Sequence, residues 1–146
     1  MNSKSSSLLT KRKNRGNITL RSIKHEELQM NKPELEKYIL KTYNVPKETP
    51  FKDDSNSWVF RHKENKKWFI IAMTIKKERL GIKNEGMIDV FNVKAEQGII
   101  NMLWRERGVY PAYHMNKEHW ISVCLDGSAD DGLIKEVIDT SFRLTL

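Results

Sequence analysis

The sequence predicts an α+β fold, an antiparallel sheet of about five strands with three helices packed mainly on one face. Its β-rich runs come in hairpin-length groups joined by short polar turns, not in strand–helix alternation, which points away from a parallel sheet. Apolar spacing also switches along the chain between the periods of helix and strand, in the order α-β-β-β-α-β-β-α. With 146 residues and 38% hydrophobic content, the chain can fill one core but not two, so a single domain is expected over residues 33–146.

Pro33 to Tyr43 is expected as the first helix. Asn31 suits the cap and Pro33 the first turn, while Leu35, Tyr38, Ile39 and Thr42 share one face. Asn44-Val45-Pro46 ends it, because the residue before a proline avoids helical geometry. After the polar connection Lys47 to Ser57, Trp58 to His62 and Lys67 to Ile75 read as a hairpin with a basic tip at 63–66. A polar excursion, Lys76 to Gly86, leads to a third strand, Met87 to Lys94, in which Met87, Asp89, Phe91 and Val93 alternate with Ile88, Val90 and Asn92. Glu96 to Arg107 has helical spacing and Gly108 as a terminator. Val109 to His114 and His119 to Leu125 are two further strands. Ser128-Ala-Asp-Asp131 resembles a capping box ahead of a last amphipathic helix that runs through Phe142.

Composition removes several classes of function. No stretch of 18 apolar residues exists, so no membrane span is expected; the longest apolar run is Trp68 to Met73. Leu8-Leu9 is too short for the apolar segment of a secretory signal. The single cysteine, Cys124, excludes an intramolecular disulfide and a cysteine-rich zinc site, and fits a reducing, cytoplasmic setting. No internal repeat is visible.

Charge is unevenly spread. Residues 1–32 carry eight Lys/Arg against two acids, whereas residues 33–146 carry 18 against 17. The N-terminal segment is Ser-rich, holds Lys11, Arg12, Lys13 and Arg15, and has no acid before Glu26. It contains no aromatic residue, so it is expected to be disordered to about Leu28. Such a tail suits a polyanion-binding arm, a transit peptide, or a solvated extension without a role. Within the body, Arg61 to Lys83 holds eight basic residues and two acids, while Asp126 to Asp139 holds five acids against Lys135. If the fold separates these segments, the domain has a positive and a negative pole.

The block Pro111-Ala-Tyr-His-Met-Asn-Lys-Glu-His-Trp120 closely resembles the signature of the MmcQ/YjbR family of small bacterial proteins. Arg61-His62-Lys63, Leu80-Gly81, Glu85-Gly86, Asp89-Val-Phe-Asn-Val-Lys94, Leu125-Asp-Gly-Ser128 and Asp139-Thr-Ser-Phe-Arg-Leu144 extend the likeness from about Pro33 to Leu146. The resemblance implies a CyaY-like α+β shape with a double-wing DNA-binding arrangement; the basic tail lies outside it.

The residues themselves offer little catalytic chemistry. His114 and His119 flank a turn, and Glu118 between them completes a metal site only with awkward geometry. Cys124 lies mid-strand, where cysteine usually behaves as a small hydrophobe. Asp53-Asp54 and Asp130-Asp131 do not form an acid–base couple. No catalytic residue, metal or cofactor is therefore expected. What remains is a set of cations and polar groups suited to phosphates: Arg61, Lys63, Lys66, Lys67, Lys76, Lys77, Arg79, Arg105, Arg107 and Lys117, with Tyr113, His114 and Asn116 for sugar or base. Asn116 has a competing structural role in closing its turn, as Tyr113 and Trp120 do in packing it; Trp68 is expected to belong to the core. The resulting expectation is a non-enzymatic, cytoplasmic nucleic-acid-binding module, with a regulatory role as one reading. Its partner would be DNA, with RNA open, bound through mainly electrostatic and weakly sequence-specific contacts that converge in one continuous basic strip. A protein-interaction adaptor is the alternative.

Overall fold

A computed structural model describes residues 30–146. The tail cations Lys11, Arg12, Lys13 and Arg15 lie outside the described residues. The elements follow the expected order. Helix α1 (Lys32–Tyr43) precedes β1 (Trp58–Arg61) and β2 (Trp68–Lys76), a 3-10 turn at Lys77–Leu80, and β3 (Met87–Lys94). A 3-10 turn at Gln97–Ile99 runs into the one-turn helix α2 (Ile100–Leu103). Strands β4 (Val109–Pro111) and β5 (Trp120–Cys124) and helix α3 (Asp131–Leu144) complete the domain. The five strands form one fully antiparallel sheet in the order β1-β2-β3-β5-β4.

The long helices start where side chains satisfy free backbone N–H groups. Asn31 Oδ1 accepts from the Glu34 amide at 2.9 Å, with Pro33 in the first turn. At α3 the cap is Asp130, which accepts from the Leu133 amide at 3.2 Å. Ser128, read from the sequence as that cap, instead donates to Asp126 Oδ1 at 2.6 Å within the preceding turn. The helix expected over 96–107 shrinks to a 3-10 turn and four α-helical residues. Gly98 weakens its start, no side chain caps it, and so short a segment recovers little of its nucleation cost. Gly108 is required for a different reason: at φ +79° a Cβ there would lie 2.6 Å from Ser128 Oγ and 2.8 Å from the Ala129 amide nitrogen.

Residues 30–32, expected to belong to the tail, are part of the folded domain. Met30 is buried in the core, and Lys32 is 6% exposed. The Lys32 ammonium donates to the Asn56 carbonyl and lies 4.5 Å from the centre of the Trp58 ring. Burial lowers its pKa against the opposing pull of Asp89 and Asp54. This cation belongs to the interior, not to a basic arm.

Helices α1 and α3 cover one face of the sheet. Leu35 and Ile39 are fully buried there, and Tyr43, rather than the exposed Thr42, completes the stripe by stacking on Phe142 at 4.5 Å. Phe60, Phe69, Ile70, Phe91, Val93, Ile121, Val123, Ile134 and Ile138 fill the space between. The opposite face has a smaller cluster, Ile75, Ile88, Val90 and Cys124, against which Met73, Leu80, Ile82, Tyr110 and Tyr113 pack.

Strand β2 carries one residue more than β1 can pair. Phe60 faces Ile70 while Arg61 faces Trp68, so Phe69 is the extra residue of a bulge. Ser141 on α3 bridges β2 and β3 beyond their last pair, Ile71 with Asn92. Its hydroxyl donates to the Phe69 carbonyl at 2.7 Å and accepts from the Lys94 amide at 2.9 Å, with Ser141 and Phe69 fully buried. One turn later, Thr145 Oγ1 donates to the Ser141 carbonyl at 2.7 Å. That hydroxyl proton being used, His62 Nε2 is the donor in the 2.7 Å bond to Thr145 Oγ1. His62 is 2% exposed and wedged between Phe69 and Phe142, at 5.0 and 4.4 Å.

Ser141→Ala is expected to leave the Phe69 carbonyl and the Lys94 amide unsatisfied and to cost about 2–4 kcal/mol in urea unfolding; a loss below about 0.5 kcal/mol would contradict this account of the bulge. His62 supplies a pH dependence. Burial holds its folded pKa below the ordinary 6.5, with the Phe142 carbonyl and Glu64 pulling weakly upward. The unfolded chain therefore takes up the proton first. The histidine's contribution is intact above about pH 6.5 and is lost as acidification proceeds from there toward the folded-state value. Melting temperature should fall more steeply from pH 7.5 to 5.5 in the parent than in His62→Gln; parallel curves would disprove the linkage.

Candidate nucleic-acid interface

Strand direction decides which of the candidate cations can act together. The β1–β2 hairpin, the end of β3 and the β4–β5 loop lie at one end of the sheet; the 77–86 excursion, the 104–108 turn and the start of α3 lie at the other. Arg61, Lys63, Lys66, Lys67, Tyr113, His114, Asn116 and Lys117 therefore share the first end. Lys76, Lys77, Arg79, Arg105 and Arg107 occupy the second, with Asp126, Asp130 and Asp131. Between the two runs β2, nine residues long and about 26 Å from end to end. The continuous strip expected from the sequence is thus two separate groups. The expected poles do not form either, because half of the positive segment ends beside the acidic one.

At the hairpin end, Lys63, Lys66, Lys67 and Lys117 are exposed, and among the described residues none of them forms an ion pair. Arg61 differs: its guanidinium meets Glu48 at 2.9 Å. The tip is well defined. The His62 amide donates to the Lys67 carbonyl at 2.9 Å and the Lys66 amide to the His62 carbonyl at 3.0 Å, with Lys66 at φ +64°. Asn65 donates through Nδ2 to the Thr145 carbonyl at 2.9 Å, which ties the tip to the end of α3.

The β4–β5 loop is fixed by a closed ring of hydrogen bonds. Asn92 and Ser122 face each other on β3 and β5, both fully buried. Ser122 Oγ donates to Asn92 Oδ1, Asn92 Nδ2 donates to the Tyr113 carbonyl at 2.9 Å, and the Tyr113 amide donates to Ser122 Oγ at 2.9 Å. The next residue, His114, is exposed and held at φ +59°, with its ring edge-on to Tyr113 at 4.2 Å. Asn116 takes the structural role: its side chain accepts from the Glu118 amide at 2.8 Å and its carbonyl from the His119 and Trp120 amides.

Between this loop and the hairpin, on the face away from the helices, lies an open groove of about 420 Å³. Ile71, Met73 and Asn92 form its floor, Trp68 and Phe51 one wall, and Tyr113, His114 and Met115 the other, with the buried Ser57 and the exposed Asp54 completing the lining. Trp68 lines this groove instead of joining the core, because the bulge reverses the facing of its side chain. Sequence reasoning singled out neither Phe51, Met73 nor Met115. Asn92 carried a signal, as an amide between Phe91 and Val93 in the buried part of its strand.

Cys124 points into the smaller cluster at the far end, 1% exposed, with its thiol pushed up to about 12 by burial and by Asp126. It is protonated at neutral pH. Among the described residues no three His, Cys, Asp or Glu side chains gather as metal ligands, and no helix is long and apolar enough to cross a membrane.

Comparison with known proteins gives a consistent result. The YjbR family model matches residues 40–144. An uncharacterised Bacillus subtilis protein, YyaQ, is 34% identical over 116 residues, which are 80% of this chain and 98% of that one. A crystal structure of a Pseudomonas syringae protein is 38% identical with a TM-score of 0.78 over 80% of this chain and all of that chain. A crystal structure of a Deinococcus radiodurans protein, 21% identical with a TM-score of 0.59 over 80% of this chain and 78% of that one, shares the fold. The family match and the B. subtilis relative together show that this chain belongs to the MmcQ/YjbR family.

Proposed function

We propose that the protein is a non-enzymatic nucleic-acid-binding module, with DNA as the partner, that uses the hairpin end of its sheet in a cytoplasmic setting. The observation that carries this reading is the group of four exposed lysines, Lys63, Lys66, Lys67 and Lys117, that lack ion-pair partners among the described residues and stand beside the Tyr113–His114 loop. Lysines without acidic partners can trade counterions for phosphates. The hairpin serves as a wing, and its anchoring through Asn65 and His62 to Thr145 lowers the entropy lost when a ligand binds.

Four point charges give modest, weakly sequence-specific affinity that falls steeply with salt. The cations at the opposite end of the sheet are too distant to share a short stretch of backbone with these four. A regulatory use fits such affinity, since salt-sensitive binding is easily displaced.

The apolar lining of the groove beside the lysines favours a second reading, a protein-interaction adaptor. One titration separates the two. Labelled DNA should bind at low salt, and binding should weaken at least tenfold when Lys63, Lys66 and Lys67 are all replaced by Glu. The dependence of log affinity on log salt should also flatten by up to about 2.7, the counterion equivalent of three phosphates. Indifference to the charge reversal supports the adaptor. No binding even at low salt defeats the nucleic-acid reading.

A further inference from the structure

We infer that the groove on the helix-free face of the sheet is a pocket for an unstacked base, so that the preferred nucleic acid is single-stranded. The inference rests on the nucleic-acid reading above and names the form of ligand that the same end of the molecule takes.

Wall chemistry is the first argument. On one side Trp68 and Phe51 meet edge to face, with centroids 5.9 Å apart and planes at 82°. On the other stand the Tyr113 and His114 rings, over a floor of Ile71 and Met73. Flat rings on both sides of an apolar floor suit a planar heterocycle, and every base offers a π-face whatever its sequence. At about 420 Å³ the groove is within the usual range for small-ligand sites. A base in a duplex remains stacked and paired, so it cannot enter without the cost of extrusion.

The rim gives the second argument. Asp54 accepts from Ser57 Oγ at 2.6 Å and from the Asn56 amide at 3.0 Å. These bonds, the Ser57 hydroxyl first, hold its carboxyl below the usual carboxylate range, so it is charged at neutral pH. A carboxylate at the mouth repels phosphate but accepts hydrogen bonds from the N–H groups along a base edge. Phosphates are thereby directed away from the groove and toward Lys63, Lys66, Lys67 and Lys117 at the same end of the sheet. Base and backbone have separate destinations.

Preorganisation is the third. The Asn92–Ser122–Tyr113 ring holds the loop wall in place before any ligand arrives, and His114 keeps its left-handed backbone conformation there.

The test compares a mixed-sequence twelve-nucleotide single strand, the same backbone made abasic at every position, and the matching duplex, each titrated by fluorescence anisotropy at low salt. The single strand should bind about tenfold or more tightly than either of the others. Phe51→Ala should reduce affinity for the intact strand by about 5- to 100-fold and leave the abasic strand and the salt dependence unchanged. Phe51 is 40% exposed, so this variant keeps its core. Trp68→Phe should retain most of the preference that Trp68→Ala loses. Equal binding of intact, abasic and duplex ligands overturns the inference while the nucleic-acid reading stands. Binding of none of the three overturns both.

Discussion

Between Phe60 and Arg61 the pairing of β1 with β2 slips by one residue, and most of what distinguishes the hairpin end of this domain follows from that slip. Side chains alternate across a sheet with period two, so one inserted residue reverses the facing of everything on one side of it. Phe69 and Ile70 both turn toward the helices, where Phe69 meets Phe142 edge to face at 5.0 Å and Tyr43 at 5.8 Å. Trp68 turns the other way and becomes a groove wall. In a regular strand the two rings would exchange faces: the indole would have to enter the aromatic cluster, and the groove would lose its larger wall. A bulge also leaves backbone polar groups out of the ladder, and buried ones need partners. Ser141 on α3 partners one of them, the Phe69 carbonyl, and at the same time the Lys94 amide on neighbouring β3, so the helix that completes the core also supports the bulged residue.

The same end of the sheet contains a second buried polar device, the Asn92–Ser122–Tyr113 ring. Each of its side chains is satisfied within the ring, which is the condition under which a buried polar network stabilises instead of costing energy. Valine at position 92 would suit β3 equally well as a strand residue but could not hold the Tyr113 carbonyl. The amide is placed where an apolar residue would serve packing better, and its effect is to immobilise the loop that carries His114. Polar groups inside the sheet thus support a surface feature on it.

Much of the architecture was legible in the sequence because it depends on local signals. The Asn31–Pro33 helix start, the β1–β2 hairpin, the alternation through β3 and β5 and the amphipathic α3 each lie within a short window. The central helix over 96–107 was overread, since its spacing is helical but Gly98 and the missing cap let only one α-helical turn form. At α3, Ser128 and Asp130 are both good cap residues, and local pattern cannot rank them when a nearby Asp126 competes for the serine. The groove was illegible for a deeper reason. Phe51, Trp68, Met73 and Met115 come from three segments, and Trp68 joins them only through a bulge that breaks the alternation from which burial is read.

Charge shows the same limit more sharply. Arg61 to Lys83 reads as one basic block, yet an antiparallel strand carries its two halves to opposite ends of the molecule. At physiological ionic strength electrostatic influence decays over about 8 Å, a third of the length of β2, so the two halves act as independent patches. A cation count for the segment therefore overstates the field at either end. Whatever affinity the hairpin end has for a polyanion must come from four lysines and from the contacts beside them. Four exposed lysines attract any phosphate backbone without distinguishing among them, because a point charge carries no shape. Discrimination at this surface can come only from groups with fixed geometry, and the rigid aromatic walls next to those lysines are such groups.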